Sequence, residues 1–124
     1  MFGVSMLDEA KPVRRLTLLS KSLVVPFTTE EAGRWPAITG QLRPATPKEA
    51  REYYDAVGRS KDEAAAFGIR NKFYADHIAS WDVVDEAGTV AAVTPETVAS
   101  LPVPVWDQLG QIVLGFSGGD VLKN

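Results

Sequence analysis

The chain contains no cysteine, only one histidine (His77) and no excess of positive charge. The lack of cysteine excludes disulfides, thiolate metal ligands and a cysteine nucleophile. The 13 Lys and Arg residues are outnumbered by 16 Asp and Glu residues, which gives a formal net charge of −3. Binding to nucleic acids or to anionic membranes depends on a basic surface, so neither is expected as a partner.

Long apolar segments are also missing. The longest apolar runs, such as SLVVPF from Ser22, fall far short of the roughly 20 residues that a membrane-spanning helix needs. In the N-terminal sequence MFGVSMLDEAKPVRR the charges follow the apolar residues, which is the reverse of a secretory signal. These features predict a cytoplasmic protein.

The composition is that of a globular domain. Hydrophobic residues make up 45% of the 124 residues and charged residues 23%, and a chain of this length can bury a sizeable core. No repeat and no linker divides the sequence. We therefore expect a single domain over residues 1–124, with a flexible leader at 1–12 and a flexible tail at 117–124.

The first third of the chain is predicted to form a small antiparallel sheet. The segment VRRLTLLSKSLVVPF is rich in leucine and β-branched residues and favours two short strands separated by a polar break at residues 20–22. Residues 37–43 favour a third strand. Because Pro26 has no N–H, the second strand should lie at a sheet edge or end there.

The remainder is predicted to be mostly helical. Thr46, Pro47 and Glu49 form a capping box that begins a first helix, which Gly58 would end in the left-handed conformation. A second capping box at residues 60–63 begins a helix that is expected to run to about residue 81.

Two further helices are expected after a turn. Thr94 and Pro95 begin a short helix, and a last amphipathic helix follows the prolines at 102 and 104. The predicted fold class is therefore α+β, with a small N-terminal antiparallel sheet of two or three strands followed by a bundle of about four helices.

The lone histidine is a candidate general base because it follows Asp76 directly. A small enzyme built on His77 and Asp76 is therefore one hypothesis for the function. Against it, the chain has no G-x-S-x-G motif, and the GFSGG segment from Gly115 lacks the preceding strand that a nucleophile elbow requires. Since His77 shares an apolar helix stripe with Phe73 and Trp81, a structural role is favoured, and no catalytic residue is predicted.

The acidic residues Asp82, Asp85 and Glu86 could suggest a calcium loop, but they lack the ligand spacing and the final bidentate glutamate of an EF-hand. A zinc site would need more nitrogen or sulfur ligands than one histidine supplies. No phosphate-binding loop or dinucleotide fingerprint occurs. We predict no metal and no cofactor, and interpret residues 85–88 as a solvated turn in which Gly88 has a positive φ.

The tryptophans suggest a protein that acts by contact with other proteins, because large aromatic residues are favoured at interface centres. Trp81 is expected in the core, whereas Trp35, which precedes Pro36 in a polar loop, is expected at the surface. The apolar face of the last helix could be core, an oligomer surface or a docking groove. The candidate partner-binding residues are Val105, Trp106, Leu109, Ile112 and Phe116 of this face, together with Trp35.

The order of motifs in the C-terminal half resembles that of the tail assembly chaperones, and related small tail proteins, of long-tailed bacteriophages. The resemblance covers about residues 73–113, roughly a third of the chain, and is looser upstream. It consists of a Trp-Asp pair, an Asp-x-x-Gly turn, a Thr-Pro-Glu helix start and a Leu-Pro pair. These are Trp81, Asp82, Asp85, Gly88, Thr94, Pro95, Glu96, Leu101 and Pro102.

The resemblance implies a non-enzymatic chaperone that binds the tape-measure protein in the cytoplasm of the infected cell. Such a chaperone keeps this long, helix-prone client soluble until tail-tube subunits polymerise around it. The tape-measure protein is thus the expected partner, the tail-tube protein is a second candidate, and the chaperone is expected to be a homo-oligomer. The alternative hypothesis is a permanent structural subunit of the tail or of the head–tail connector.

Overall fold

The computed structural model of the chain describes residues 15–20 and 22–115. The predicted leader at 1–12 and tail at 117–124 lie outside these ranges. The described residues form three strands and four helices, in the order β1 (Val25–Thr28), β2 (Thr39–Leu42), α1 (Pro47–Gly58), α2 (Glu63–His77), β3 (Ile78–Trp81), α3 (Pro95–Ala99) and α4 (Val103–Leu114). The predicted α+β class is confirmed.

The three strands form one antiparallel sheet in the order β1-β2-β3. Strand β1, which contains Pro26, lies at an edge of this sheet, as predicted. The prediction of a further strand before β1 is wrong, because no described residue before Val25 belongs to a strand. The leucines there lack a neighbouring strand to cover them, and Leu16 and Leu18 are 99% and 89% exposed.

The prediction that the second long helix extends to residue 81 is also wrong. Helix α2 ends at His77, and the next four residues form β3, which pairs with β2. The backbone N–H of Arg43 donates to the His77 carbonyl oxygen at 2.7 Å, directly at the junction. Pairing with β2 therefore outweighs the helical apolar pattern that continues through Ile78 and Trp81.

The helix starts are set by side-chain caps. The predicted box of α1 is confirmed: the Thr46 hydroxyl accepts from the Glu49 N–H at 3.1 Å, and the Glu49 carboxylate accepts from the Thr46 N–H at 2.9 Å. The cap of α2 is Asp62, whose carboxylate accepts from the Ala65 N–H at 2.8 Å, so the helix begins within the predicted box but not on Ser60.

The left-handed end predicted for α1 is wrong. Gly58 is the last helical residue, and Arg59 follows it with a φ of −92°. The positive φ values of the described residues occur at Gly33, Gly88 and Gly115. Gly115 ends α4, and its N–H bonds to carbonyl oxygens of the last helical turn, as a left-handed glycine cap does.

The short helix α3 begins at Thr94, as predicted. Its hydroxyl accepts from the Thr97 N–H at 3.1 Å, and the Thr97 hydroxyl accepts from the Thr94 N–H at 2.9 Å. Pro95 occupies the first turn, where its missing N–H costs nothing. This cap positions Val98, which is fully buried.

The hydrophobic core lies between one face of the sheet and the helices. Its buried members are Phe27, Ile38, Leu42, Tyr53, Tyr74, Ile78, Trp81, Val98, Val105, Leu109, Ile112 and Val113. Helices α2 and α4 approach closely at Gly110, because a Cβ there would lie 2.8 Å from Cζ of Tyr74. Burial raises the pKa of the Tyr74 hydroxyl well above its usual value, and a hydrogen bond with the neighbouring Tyr53 raises it further.

Gly40 at the centre of the sheet provides a test of this packing. A Cβ at this position would collide with the Ser80 carbonyl oxygen and lie 2.8 Å from Cε1 of Phe27. We expect Gly40→Ala to lower the free energy of unfolding by about 3 kcal/mol, measured by urea denaturation.

Gly68→Ala is the matched control, because no heavy atom lies within 4 Å of a Cβ at this helical position. It should raise the stability by up to about 1 kcal/mol, since alanine favours helix. Equal effects of the two substitutions would contradict the described sheet packing.

Candidate partner-binding site

The Trp-Asp pair at the end of β3 holds neighbouring segments in place. Trp81 is buried, and its indole Nε1–H donates to the Ala91 carbonyl oxygen at 2.8 Å. The Asp82 carboxylate accepts from the Thr39 N–H at 2.9 Å and from the Thr39 hydroxyl at 3.1 Å. The Trp81 bond joins the end of β3 to the segment that follows it, and the Asp82 bonds join that segment to the start of β2, so both residues have scaffold roles.

The predicted turn at residues 85–88 is confirmed. One Asp85 carboxylate oxygen accepts from the N–H groups of Ala87 and Thr89 at 2.9 and 3.0 Å, and Gly88 has a φ of +85°. The turn is exposed. Among the described residues, no group of three or more His, Asp and Glu side chains is arranged to hold a metal ion.

The candidate face of α4 is divided by the fold. Val105, Leu109 and Ile112 are buried, at 3%, 0% and 7% exposure. The sequence left open whether this face is core, an oligomer surface or a docking groove, and the structure places these three residues in the core. The prediction that they form an exposed partner-binding face does not hold. Phe116 lies outside the described residues.

The two tryptophans of the candidate set lie in different surroundings. Trp106 is half-buried, and its Nε1–H donates to the buried Asn71 side-chain oxygen at 2.7 Å. Its ring lies 5.3 Å from that of Tyr74. Trp35 is 39% exposed, as expected, with the Arg34 guanidinium 5.7 Å from its ring centre. Trp106 therefore stabilises the packing of α4 against α2, while Trp35 is accessible at the surface.

A surface that the sequence did not predict lies at the end of α4, which we call the apolar groove. It has a volume of about 400 Å³. Its walls are the segment before β1, strand β1, the end of β2 and the last turn of α4. The apolar residues lining it are Leu16, Leu19, Leu23, Val25, Pro26, Phe27, Leu42, Pro44, Ala45, Ile112, Val113 and Leu114. Ile112 thus contributes to a surface depression even though most of its side chain is buried.

A second depression, which we call the polar cleft, has a volume of about 790 Å³ and lies beside α1 and the end of α2. It is lined by Leu19, Ser20, Arg43, Pro44, Thr46, Glu49, Glu52, Tyr53, Phe73, Asp76 and His77. Leu19 and Pro44 belong to both depressions. The groove and the cleft are therefore adjacent, and together they are the candidate partner-binding site.

His77 lies in the wall of the polar cleft but is not paired with Asp76 by any hydrogen bond among the described residues. Its Nδ1 lies 2.8 Å from the Arg43 carbonyl oxygen. The Asp76 carboxylate lies 2.7 Å from Nζ of Lys72 instead. The geometry therefore gives His77 a bond that joins α2 to the end of β2, and gives no support to a His77–Asp76 pair.

Comparison of the chain with protein-family models, with curated proteins and with solved structures finds no match. Within the part of the chain that the structure describes, no helix is both long enough and apolar enough to cross a lipid bilayer.

The scaffold role of Asp82 can be tested directly. Asp82→Ala removes an acceptor for two groups of Thr39, so we expect it to lower the free energy of unfolding by about 1–2 kcal/mol. Urea denaturation measures this change.

Glu86→Ala is the control, since Glu86 is an exposed carboxylate in the nearby turn. It should change the stability by less than about 0.5 kcal/mol. If both variants were as stable as the unchanged protein, the Asp82 contacts would have no structural role.

Proposed function

We propose that this protein is a non-enzymatic phage tail assembly chaperone, which binds the tape-measure protein and keeps it soluble in the host cytoplasm. The observation that carries the proposal is the apolar groove, because a chaperone must offer a surface that covers apolar patches of its client. The tail-tube protein is proposed as a second partner, and self-association is proposed for the chaperone itself.

The C-terminal motifs support this proposal through their structural roles. Trp81, Asp82, Asp85, Gly88 and Thr94 each make a local contact or adopt a backbone geometry that shapes the segment between β3 and α3. A sequence pattern built from such positions specifies the backbone shape of this segment and not a set of reacting groups. Such a pattern is expected of a family of binding proteins that catalyse no reaction.

The apolar lining of the groove suits a helical client. Helix-in-groove recognition inserts side chains from one face of an amphipathic helix into an apolar channel. The groove has leucines on its outer wall, among them Leu16 and Leu19 at 99% and 37% exposure, and the core residues Leu42 and Ile112 at its base. Apolar residues that are exposed in the free chaperone would thus become covered when the client binds.

Co-expression with the tape-measure protein encoded by the same phage genome tests the proposal. The chaperone should increase the soluble fraction of this client severalfold and should co-purify with it. The double variant Leu16→Asp/Leu19→Asp should abolish both effects, because charges on the groove wall would have to be buried by the client. Soluble client is measured in the supernatant after centrifugation.

The matched control is Val84→Asp/Val90→Asp, which places two charges on apolar residues that are 53% and 59% exposed outside the groove. It should leave client solubility unchanged. Equal loss of activity in both double variants would argue against the groove as the client site, and failure of the unchanged chain to solubilise the client would refute the proposed function.

A permanent structural subunit would also bind tail proteins, so the two hypotheses need a separate measurement. A chaperone leaves before assembly is complete. We therefore expect mass spectrometry of purified phage particles to detect the tape-measure and tail-tube proteins but not this chain. Its presence at a stoichiometric level in particles would favour the structural subunit instead.

A further inference from the structure

We propose that client recognition at this surface has two parts. Apolar side chains of the client would occupy the apolar groove, and an arginine next to them would enter the polar cleft. This inference rests on the proposed function, and it specifies the chemistry of the client segment: an amphipathic helix with a basic residue bordering its apolar face.

The groove and the cleft are adjacent. Leu19 and Pro44 line the groove on one side and the cleft on the other. A segment seated in the groove therefore borders the cleft directly. Long basic side chains lay their methylene groups along apolar surface while their charged ends reach polar surroundings, and the wall shared by the two depressions provides that arrangement.

The charges that line the cleft are complementary to a basic side chain. The cleft is lined by three carboxylates, of Glu49, Glu52 and Asp76, against one guanidinium, of Arg43. Asp76 is paired with Lys72, and Glu49 caps α1. Glu52 is exposed and has no hydrogen bond or ion pair among the described residues. It is therefore a carboxylate that an incoming cation can reach.

The buried imidazole of His77 also lines the cleft. His77 is 7% exposed, and its Nδ1 faces the Arg43 carbonyl oxygen, which can only accept. In the neutral ring Nδ1 therefore carries the hydrogen, and Nε2 is an acceptor. No described residue donates a hydrogen bond to Nε2. Since every fully buried side-chain nitrogen or oxygen of the described residues has a partner, Nε2 is accessible from the cleft. His77 thus offers the cleft an acceptor for an N–H donor.

Aromatic side chains form part of the cleft wall. The rings of Tyr53 and Phe73 stack at 4.2 Å, and the Phe73 ring lies 4.5 Å from that of His77. A planar guanidinium packs favourably against aromatic faces and forms several hydrogen bonds at once, so arginine fits this combination better than lysine. Arg43 opposes the incoming charge, but its Nη1 is directed toward the Asp76 carbonyl oxygen at 3.5 Å.

Two fluorescent helical peptides test the inference. Both carry the same stripe of leucines, and they differ at one bordering position, which is arginine in one peptide and its neutral isostere citrulline in the other. Fluorescence anisotropy should show that the unchanged protein binds the arginine peptide about three- to tenfold more tightly. Glu52→Gln should reduce this preference to less than about twofold.

Glu86→Gln is the matched control, because it removes the same charge from the exposed turn, away from the residues that line the cleft. It should keep the full preference. His77→Gln tests the imidazole separately, since the glutamine amide can still donate to the Arg43 carbonyl oxygen, and circular dichroism would show that this variant is folded. We expect it to weaken binding of the arginine peptide alone.

The outcomes separate the two proposals. If both peptides bind the unchanged protein equally, the arginine cleft is refuted while the groove and the proposed function remain. If Glu86→Gln removes the preference as Glu52→Gln does, the preference arises from the overall negative charge of the protein, and the inference fails. If neither peptide binds, helix docking in the groove is refuted, and the cleft with it.

Discussion

The architecture depends on the direct junction between α2 and β3. No loop separates His77, the last residue of the helix, from Ile78, the first residue of the strand. The junction is held by two hydrogen bonds to one residue: the Arg43 N–H donates to the His77 carbonyl oxygen, and the His77 imidazole bonds to the Arg43 carbonyl oxygen. These two bonds fix the orientation of α2 relative to the sheet, and both residues also line the polar cleft.

The lone histidine and Asp82 both make hydrogen bonds that hold the backbone on either side of β3. His77 uses one ring nitrogen to support the backbone, and Asp82 uses its carboxylate to hold the start of β2. The remaining ring nitrogen and Glu52, which lines the same cleft, are the groups proposed for recognition. The surface proposed to bind the client is therefore a consequence of the fold, because the groove and the cleft lie on either side of the wall formed by Leu19 and Pro44.

The helix caps and the turn could be predicted from the sequence, whereas the apolar groove could not. The caps at Thr46 and Thr94 and the turn at Gly88 depend on residues a few positions apart, and their sequence pattern was sufficient to place them. The end of α2 was missed because β3 forms through pairing with a distant strand, which overrides the helical pattern. The groove was missed because it joins residues near Leu19 to Ile112, and only tertiary packing brings these together.

The central claim is that the apolar groove, with the polar cleft beside it, is the surface that covers the client. Hydrogen–deuterium exchange of this protein, alone and mixed with the proposed tape-measure client, tests this claim most directly. The account predicts slower exchange on binding at residues 15–25, at the end of β2 and in the last turn of α4, with the turn at residues 85–88 unchanged. Protection confined to that turn or to the loop around Trp35, with no change along the groove, would contradict it.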